Sequence, residues 1–301
     1  MALLASSRPR AELGERILRT VTLLERRGYA LPPDLLGEVC VGGRLGEPAV
    51  REAVAAEPAL ELRSGLVVRV GGPATAAISE RASCHQQAQA RYLPEALAFV
   101  RTLVRLSPYV LAVSIAGSLA SGGFKASDDV DLNLVVENGR RHLAYVALNA
   151  LGLAHALRHR GKPVDVHTAR PLAPRVMTAN LVLERSQCFP LERQDEDMAY
   201  ELLIAQPVYG AGFWQEVVGH NPELLRHFPQ LGSRQAAWEQ RVGRAAPGWL
   251  FPRALDRPAR ALGSAGWRYM QWTRRGRPEA LARVAYVRQT MRPYALFGDS
   301  R

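Results

Sequence analysis

The sequence predicts an α/β (α+β) protein whose core is a mixed β-sheet, with helices packed mainly on one face. Two observations support this prediction. Residues 108–232 alternate short apolar runs with longer segments of helical periodicity. The apolar runs are bounded by Gly, Ser and Asp, which is typical of strands. At 301 residues, the chain has room for more than this core.

Changes in pattern divide the chain into four segments. The first is helical and ends in a hairpin, the second consists of linker helices, the third is the α/β core and the fourth is a basic helical extension. Their predicted bounds are 1–75, 76–107, 108–232 and 233–301.

The first segment is predicted to hold three helices and a two-stranded hairpin. Apolar residues recur at helical spacing over residues 12–29, and Pro33 begins a second, shorter helix. A third helix follows over 46–58. ALELRSGLVVRV then alternates around Ser64-Gly65, as a tight hairpin does. This order resembles a winged-helix domain, a fold that usually offers its third helix to a DNA groove.

The distribution of charge does not support DNA binding by this segment. The net charge of the chain is +11, but residues 1–80 contain 10 basic and 10 acidic side chains. Residues 233–301 contain 14 basic and 4 acidic side chains, so nearly all the excess lies in the extension. Because DNA binding depends on phosphate neutralisation, nucleic acid remains a possible partner that the charge of the first segment does not favour, and a docking or structural role is favoured for it.

The composition indicates a soluble cytoplasmic protein. The start of the chain has no apolar signal-peptide core, and no apolar run approaches the ~20 residues of a membrane span. The three cysteines are far apart and show no metal-ligand spacing. That pattern suits a reducing compartment without disulfides.

The third segment should contain four strands and two long helices. The fourth should be helical. Strands are predicted over 109–117, 130–136, 162–169 and 175–183, and helices over 140–160 and 196–207. Residues 212–231 and 278–297 are predicted to be helical with loops.

Two aspartates inside an apolar run are the most informative feature of the sequence. Asp129 and Asp131 flank Val130 in a predicted strand, so both carboxylates project to the same side. Paired carboxylates repel one another, and a divalent cation relieves that repulsion. Ligation by oxygen alone suits Mg²⁺ or Mn²⁺, with a nucleotide phosphate supplying further ligands.

A Gly-Ser pair precedes these aspartates at the end of the previous predicted strand. Gly117 would let the backbone approach a phosphate closely, and Ser118 would open a short helix whose amides favour an anion. An anion seat and metal ligands would then lie at the same end of adjacent strands. This combination indicates a nucleoside triphosphate as ligand.

The stretch GSLASGGFKASDDVDL resembles the signature of the DNA polymerase β-like nucleotidyltransferase superfamily, especially its small prokaryotic branch. That branch has Gly-Ser-x-Ala-x-Gly, six residues and then Asp-x-Asp-Leu. The matching positions here are Gly117, Ser118, Ala120, Gly122, Asp129, Asp131 and Leu132. The resemblance extends over about residues 110–230.

The resemblance implies metal-dependent transfer of a nucleoside monophosphate from an NTP to a hydroxyl acceptor, with release of pyrophosphate. Asp129 and Asp131 would be catalytic metal ligands for Mg²⁺ or Mn²⁺. The superfamily adds a third carboxylate from a neighbouring strand. Asp165 in VDVHT is the predicted third ligand and proton acceptor, with Glu184 as the alternative.

The same resemblance implies the nucleotide contacts. Gly117 and Ser118 would seat the phosphates. Lys125 lies in the spacer, residues 119–128 between the Gly-Ser pair and Asp129, and could contact a phosphate, although a solvated loop lysine is the competing interpretation. ATP is the default NTP. The acceptor is not identified by the sequence.

Other interpretations stay open. The domain could bind nucleotide without catalysis, as the sensing part of a winged-helix regulator that binds DNA. A second alternative is a nucleotide-sugar glycosyltransferase, because Asp-x-Asp also occurs in those enzymes. His155 and His159, four residues apart, could be a metal pair, but no third ligand is evident. Tyr209 and Phe213 could stack on a base or simply pack.

Aromatic residues also alternate with arginines in the basic extension. Trp267, Tyr269 and Trp272 could belong to an RNA-binding or membrane-surface helix. The default interpretation is a helix that packs back on the catalytic core.

Overall fold

The computed structural model describes residues 7–72, 75–159, 161–162, 176–290 and 292–297. Within these residues the protein has a mixed four-stranded sheet, a separate two-stranded hairpin and helices around both. The α/β class predicted from the sequence is therefore observed.

The described part of the chain contains eleven α-helices and six strands. The helices are α1 Ser7–Arg26, α2 Pro33–Glu38, α3 Glu47–Ala56, α4 Thr75–Leu106, α5 Gly117–Ser121, α6 Arg141–Ala156, α7 Glu196–Ile204, α8 Ala211–Gly219, α9 Pro222–His227, α10 Asp256–Thr273 and α11 Pro278–Thr290. The strands are β1 Leu60–Arg63, β2 Leu66–Arg69, β3 Val110–Ala116, β4 Val130–Val136, β5 Met177–Glu184 and β6 Gln206–Tyr209.

The first unit has the three helices and the hairpin that the sequence predicts. The turn between β1 and β2 is formed by Ser64 and Gly65, whose φ angles are 51° and 79°. Two consecutive left-handed residues match the twist of the flanking strands, which explains why the hairpin closes there. The helices share a core in which Ile17, Leu36 and Val50 are fully buried.

This first unit packs against α7 rather than standing apart. The Tyr29 hydroxyl is hydrogen-bonded to that of Tyr200, and both side chains are buried. The Arg27 guanidinium lies 4.8 Å from the centroid of the Tyr200 ring and 3.3 Å from Asp197 Oδ1. Hydrophobic residues of α1 and α2 form one continuous core with those of α7, α8 and α9.

The sheet has the order β5-β4-β3-β6. β4 is antiparallel to β3 and parallel to β5, and β6 is antiparallel to β3. On one face, Leu132 and Leu134 pack with residues of α4 and α6. On the other, Val135 and Leu183 pack with α7 and α8. The prediction that helices cover mainly one face is therefore wrong: β4 supplies apolar side chains to both faces, and each needs a cover.

The linker region is a single helix that belongs to the core. α4 has 32 residues and buries Tyr92, Phe99 and Leu103 against the sheet. A helix with this much buried surface is part of the hydrophobic core, in addition to joining the two regions of the chain.

The strand expected over 162–169 lies, from residue 163 onward, outside the described residues and stays a prediction. One observed strand differs from the prediction. β6 was not predicted: it has four residues and includes Pro207, which lacks a ladder donor. Its position at the edge of the sheet explains how the strand tolerates that proline.

The basic extension packs back on the core through α10, as the default interpretation expected. A carbon atom added at Gly263 of α10 would lie 3.3 Å from the Tyr145 ring of α6. Trp267 is half-buried, whereas Tyr269 and Trp272 are exposed. Among the helices that the structure describes, none combines the length and apolarity needed to cross a membrane.

Asp256 at the start of α10 caps α6. Its Oδ1 accepts hydrogen bonds from the backbone N–H groups of His142 (2.8 Å) and Leu143 (2.9 Å), and its Oδ2 lies 2.7 Å from His142 Nδ1. The residue before α6, Arg140, makes no side-chain cap. The first turn of α6 is therefore satisfied by a residue more than 100 positions away in the chain.

We predict that Asp256→Ala lowers the free energy of unfolding by about 1–2 kcal/mol, because it removes this cap and leaves amide donors unsatisfied. Urea denaturation followed by circular dichroism measures the change. The control is Asp34→Ala, an exposed aspartate of α2, for which a change of less than about 0.5 kcal/mol is expected. Equal effects of the two substitutions would contradict the capping role.

Candidate functional site

The Gly-Ser turn and the Asp-x-Asp motif meet where the two central strands, β3 and β4, end side by side. β3 ends at Ala116, which is paired with Asp131 of β4, and α5 begins at the next residue, Gly117. Gly117 has a φ of 60°, and a methyl group added there would lie 2.1 Å from Asp131 Oδ2. The backbone of the turn therefore lies directly against the carboxylate, which only glycine permits.

Asp131 is held between its two neighbouring strands. The hydroxyl of Thr178, its partner on β5, donates a 2.9 Å hydrogen bond to Asp131 Oδ1. Val130 and Leu132 are fully buried on the α4–α6 face, so Asp131 projects from the opposite face. Asp129 immediately precedes the strand, and both aspartates are partly exposed.

A third aspartate, Asp128, organises the loop before β4. Its Oδ2 accepts hydrogen bonds from Arg81 Nη1 (2.7 Å), Ser118 Oγ (3.1 Å) and the backbone N–H of Lys125 (3.2 Å). Arg81 Nη1 also donates to the carbonyl of Gly123. The Asp128 carboxylate thus connects α4, the Gly-Ser turn and the spacer. It supports the loop from within the protein.

The two lysines of the chain have different surroundings near this loop. Lys125 Nζ lies 2.8 Å from Glu80 Oε2 on α4. Lys162 is buried and donates a 2.7 Å hydrogen bond from Nζ to the carbonyl of Asp128. Lys125 therefore has a carboxylate partner in this structure, and its contact with a phosphate stays a prediction.

Of the two candidates for the third carboxylate, Asp165 lies outside the described residues. Glu184 is wrong. It ends β5 opposite Val136, whereas Asp131 pairs with Thr178 at the beginning of that strand. Six residues of strand separate the two positions, which is about 20 Å. Glu184 instead caps the short 3₁₀ turn that follows β5, with Gln187 as its partner.

A polar row continues from Asp131 along the same face of the sheet. Asn180 Nδ2 lies 2.8 Å from both Asn133 Oδ1 and Glu201 Oε1, to which it donates. Glu201 is buried on α7, and burial raises the pKa of its carboxyl, while the Arg27 charge and the Asn180 hydrogen bond oppose that rise. Through Asn180, the row connects the carboxylate of Glu201 to Asn133 of β4, the strand that contains Asp131.

The first unit contacts the spacer directly. A methyl group added at Gly123 would lie 3.1 Å from Tyr29 Cβ, and one at Gly122 would lie 3.4 Å from Leu31 Cδ2. Burial raises the pKa of the Tyr29 hydroxyl to about 12, so this residue is a neutral packing group at physiological pH. The segment between α1 and α2 therefore forms one wall around the loop.

His85 of α4 forms another contact with the spacer. The backbone N–H of Phe124 donates a 3.1 Å hydrogen bond to His85 Nδ1, so the ring accepts at that nitrogen. Burial lowers the pKa of His85, which favours the neutral ring that this hydrogen bond requires.

A pocket lies further along the same sheet face, between β3, β6, α7 and α8. Its lining includes Ser114, Pro207, Trp214 and Arg234. Ser114 is paired with Asn133, two residues beyond Asp131, or about 7 Å along the strand. Ser114 Oγ and Trp214 Nε1 are buried without hydrogen-bond partners among the described residues. Burial lowers the pKa of Arg234 to about 10.

Tyr209 and Phe213 have structural surroundings. Tyr209 belongs to β6 and pairs with Val113 of β3. The Phe213 ring packs edge-on to Phe189, with 5.6 Å between the centroids. Packing, the second of the two interpretations, is the one that these contacts support.

No protein-family model, curated protein or solved structure matches this chain.

The sequence interpretation missed several residues that shape the site, namely Arg81, His85, Thr178, Asn180 and Glu201. Thr178 and Asn180 alternate with apolar residues in β5, just as the two aspartates do in β4, and that pattern could have identified them. Glu201 is a carboxylate in a largely apolar helix, which is a similar signal. Arg81 and His85 lie on a long helix with nothing in the local pattern to mark them.

We predict that Gly117→Ala destabilises the protein by at least about 2 kcal/mol, because it combines a left-handed backbone with a clash against Asp131. Thermal and urea unfolding measure the change. Gly212→Ala in α8 is the matched control, since nothing lies within 4 Å of an added Cβ there. A stability equal to that of the control would contradict the close approach.

We predict that stability falls with decreasing pH partly through His85. The folded pKa lies below the ordinary value of 6.5, so the unfolded chain binds the proton more readily. The stabilisation is complete above about pH 6.5 and is lost as the pH falls towards the lower folded pKa.

The measurement is the melting temperature at about pH 7.5 and about pH 5.5, on either side of the ordinary histidine pKa. His85→Asn can still accept the bond from Phe124 but does not titrate, so its melting temperature should fall less than that of the wild type. His220→Asn, at an exposed histidine, should behave like the wild type. An identical pH response in His85→Asn and wild type would contradict the prediction.

Proposed function

We propose that this protein is a metal-dependent nucleotidyltransferase of the DNA polymerase β-like superfamily, which transfers a nucleoside monophosphate from an NTP to a hydroxyl acceptor and releases pyrophosphate. ATP is the default donor. The first unit is proposed to be a winged helix with a docking role, because its Tyr29 and Arg27 pack against α7.

The close approach of Gly117 to Asp131 is the observation that supports this proposal most strongly. Two features that lie fourteen residues apart in the chain, a tight glycine turn and a partly exposed aspartate, are in direct contact at adjacent strand ends. A triphosphate needs both: backbone donors that it can approach and carboxylates that hold its metal.

The residues present fit Mg²⁺ or Mn²⁺. Asp129 and Asp131 offer only oxygen ligands, both are partly exposed, and the Thr178 hydroxyl orients one carboxylate. We assign them as the metal ligands, with Asp165 as the proposed third. The bound cation would supply charge neutralisation on the triphosphate and stabilise the entering and leaving oxygens.

The protein's own side chains would hold the reactants in line. Asp128 accepts hydrogen bonds from the Ser118 hydroxyl and from a spacer N–H, which holds the Gly-Ser turn in place, and the backbone amides of that turn would seat the phosphates. The acceptor hydroxyl attacks the α-phosphorus, the bond from that phosphorus to the bridging oxygen breaks, and pyrophosphate leaves. Asp165 is proposed to take the hydroxyl proton.

The α3 helix gives little support to a DNA-binding regulator. Val50, Ala53 and Val54 face the core, and the exposed Arg51 is paired with Glu47 of the same helix at 2.7 Å. A nucleotide-sensing regulator remains one of the outcomes that the following experiment distinguishes.

We predict that purified protein with Mg²⁺ or Mn²⁺ transfers label from one of the four α-³²P-labelled NTPs, and that Asp129→Asn with Asp131→Asn lowers the rate by at least about 100-fold. The amide keeps the size of each side chain but cannot hold the cation as a carboxylate does. Transfer is followed to the protein itself, to bulk tRNA and to the small-molecule and protein fractions of a cell extract.

Asp34→Asn on α2 is the control and should keep full activity. Circular dichroism and melting curves establish that the double variant is folded. Equal transfer by wild type and the double variant would contradict the proposed site. Metal-dependent binding of nucleotide without transfer to any acceptor would instead support the nucleotide-sensing regulator.

A further inference from the structure

Three side chains, one from α4 and two from the C-terminal end of α6 and the residues after it, converge at one point. Glu95 is on α4, His155 is in the last turn of α6 and His159 lies just after that helix. Glu95 Oε2 is 2.7 Å from His159 Nε2 and 3.5 Å from His155 Nε2. The sequence offered the two histidines without a third ligand, and the fold supplies Glu95.

These groups are largely withdrawn from water. The side chains of His155 and His159 are 15% and 13% exposed, and that of Glu95 is 30% exposed. Within the described part of the chain, His155 Nε2 is a buried atom without a well-aligned hydrogen-bond partner, because Glu95 Oε2 lies 3.5 Å from it and is closer to His159 Nε2. The edge-on contact of the His155 ring with Phe99 closes one side of the cluster. A buried polar atom without a partner is costly, so a bound ligand would remove a real penalty.

The ligand types and spacing are those of a transition-metal centre. One ligand atom from each of the three residues lies within 4.8 Å of the others. In a tetrahedral zinc site, with metal–ligand bonds of about 2.0–2.2 Å, neighbouring ligand atoms are about 3.4 Å apart. The observed separations need only small side-chain rotations to reach that value.

We propose that Glu95, His155 and His159 bind one Zn²⁺ ion, with water at the fourth position. Two imidazoles and one carboxylate suit zinc, whereas the oxygen-only aspartate site suits Mg²⁺. The site is therefore distinct in chemistry and in residues from the one formed by Asp129 and Asp131. Its existence does not depend on the proposed nucleotidyl transfer.

The position of the cluster gives the metal a structural consequence. It would join α4 to the end of α6 and to the turn after it, where the backbone N–H of Lys162 donates to the carbonyl of His159. Lys162 Nζ in turn donates to the carbonyl of Asp128. Zinc binding would thus fix the turn that supports the loop before β4.

The test begins with wild-type protein dialysed against a chelator. Co²⁺ reports tetrahedral coordination by its visible absorption, and Zn²⁺ added afterwards should displace it with a stoichiometry of one ion per chain. Elemental analysis of zinc-loaded, desalted protein gives an independent count. The melting temperature should rise on addition of Zn²⁺. No visible band together with no retained zinc would overturn the proposal and leave a plain histidine–glutamate contact.

Variants identify the ligands. Removal of a ligand in His155→Ala, His159→Ala or Glu95→Gln should weaken zinc binding by at least about 100-fold, more than loss of an outer-shell partner does. His220→Ala at the exposed histidine should bind like the wild type. Zinc binding of wild-type strength in a folded His155→Ala, His159→Ala double variant would show that the metal binds elsewhere and would overturn the proposal.

One further variant separates this inference from the proposed function. Asp129→Asn with Asp131→Asn should retain one zinc ion, with the same Co²⁺ spectrum. Loss of zinc in that variant would contradict a separate site, whereas loss of nucleotidyl transfer with zinc retained would leave the zinc site intact.

Discussion

The candidate site is built around the contact between the Gly117 backbone and the Asp131 carboxylate, at the adjacent ends of the two central strands. β3 and β4 are antiparallel and in register at Ala116 and Asp131, so the residue after Ala116 must pass the Asp131 side chain. A left-handed glycine is the one residue type that makes this turn without a side-chain clash. The position of α5, and with it that of Ser118, follows from this local constraint.

Asp128 extends that constraint to the rest of the molecule. Its carboxylate is shared by Arg81 of α4, by Ser118 and by the spacer backbone, while Lys162 holds its carbonyl. Each of these partners comes from a different part of the chain. The conformation of the loop that precedes the two predicted metal ligands is therefore held by hydrogen bonds that include partners distant in the chain, Arg81 and Lys162. The loop does not need an intrinsically rigid sequence to keep this conformation.

The first unit is an integral part of this arrangement. Tyr29 contacts the spacer at Gly123 and the helix α7 at Tyr200, so it connects two walls of the site. Because α1 and α2 share a hydrophobic core with α7, α8 and α9, separation of the units would expose a large apolar surface. This continuity favours a docking role over an independently moving DNA reader.

The sequence by itself determined the order of elements and the main motif. Periodicity located most of the helices and β3, β4 and β5, and the spacing of Gly117, Asp129 and Asp131 indicated that they meet. These signals are local, because side-chain alternation and turn residues act over a few positions. Short β6 escaped them, because its pairing with β3 rather than its own sequence makes it a strand.

Only the tertiary structure decided which distant residues complete each cluster. Arg81, Thr178 and Glu201 reach the loop and the sheet face from α4, β5 and α7, and Glu95, also on α4, completes the histidine pair. The choice of Glu184 as an alternative carboxylate failed for the same reason. Sequence distance does not give strand register, and register places that residue at the far end of β5.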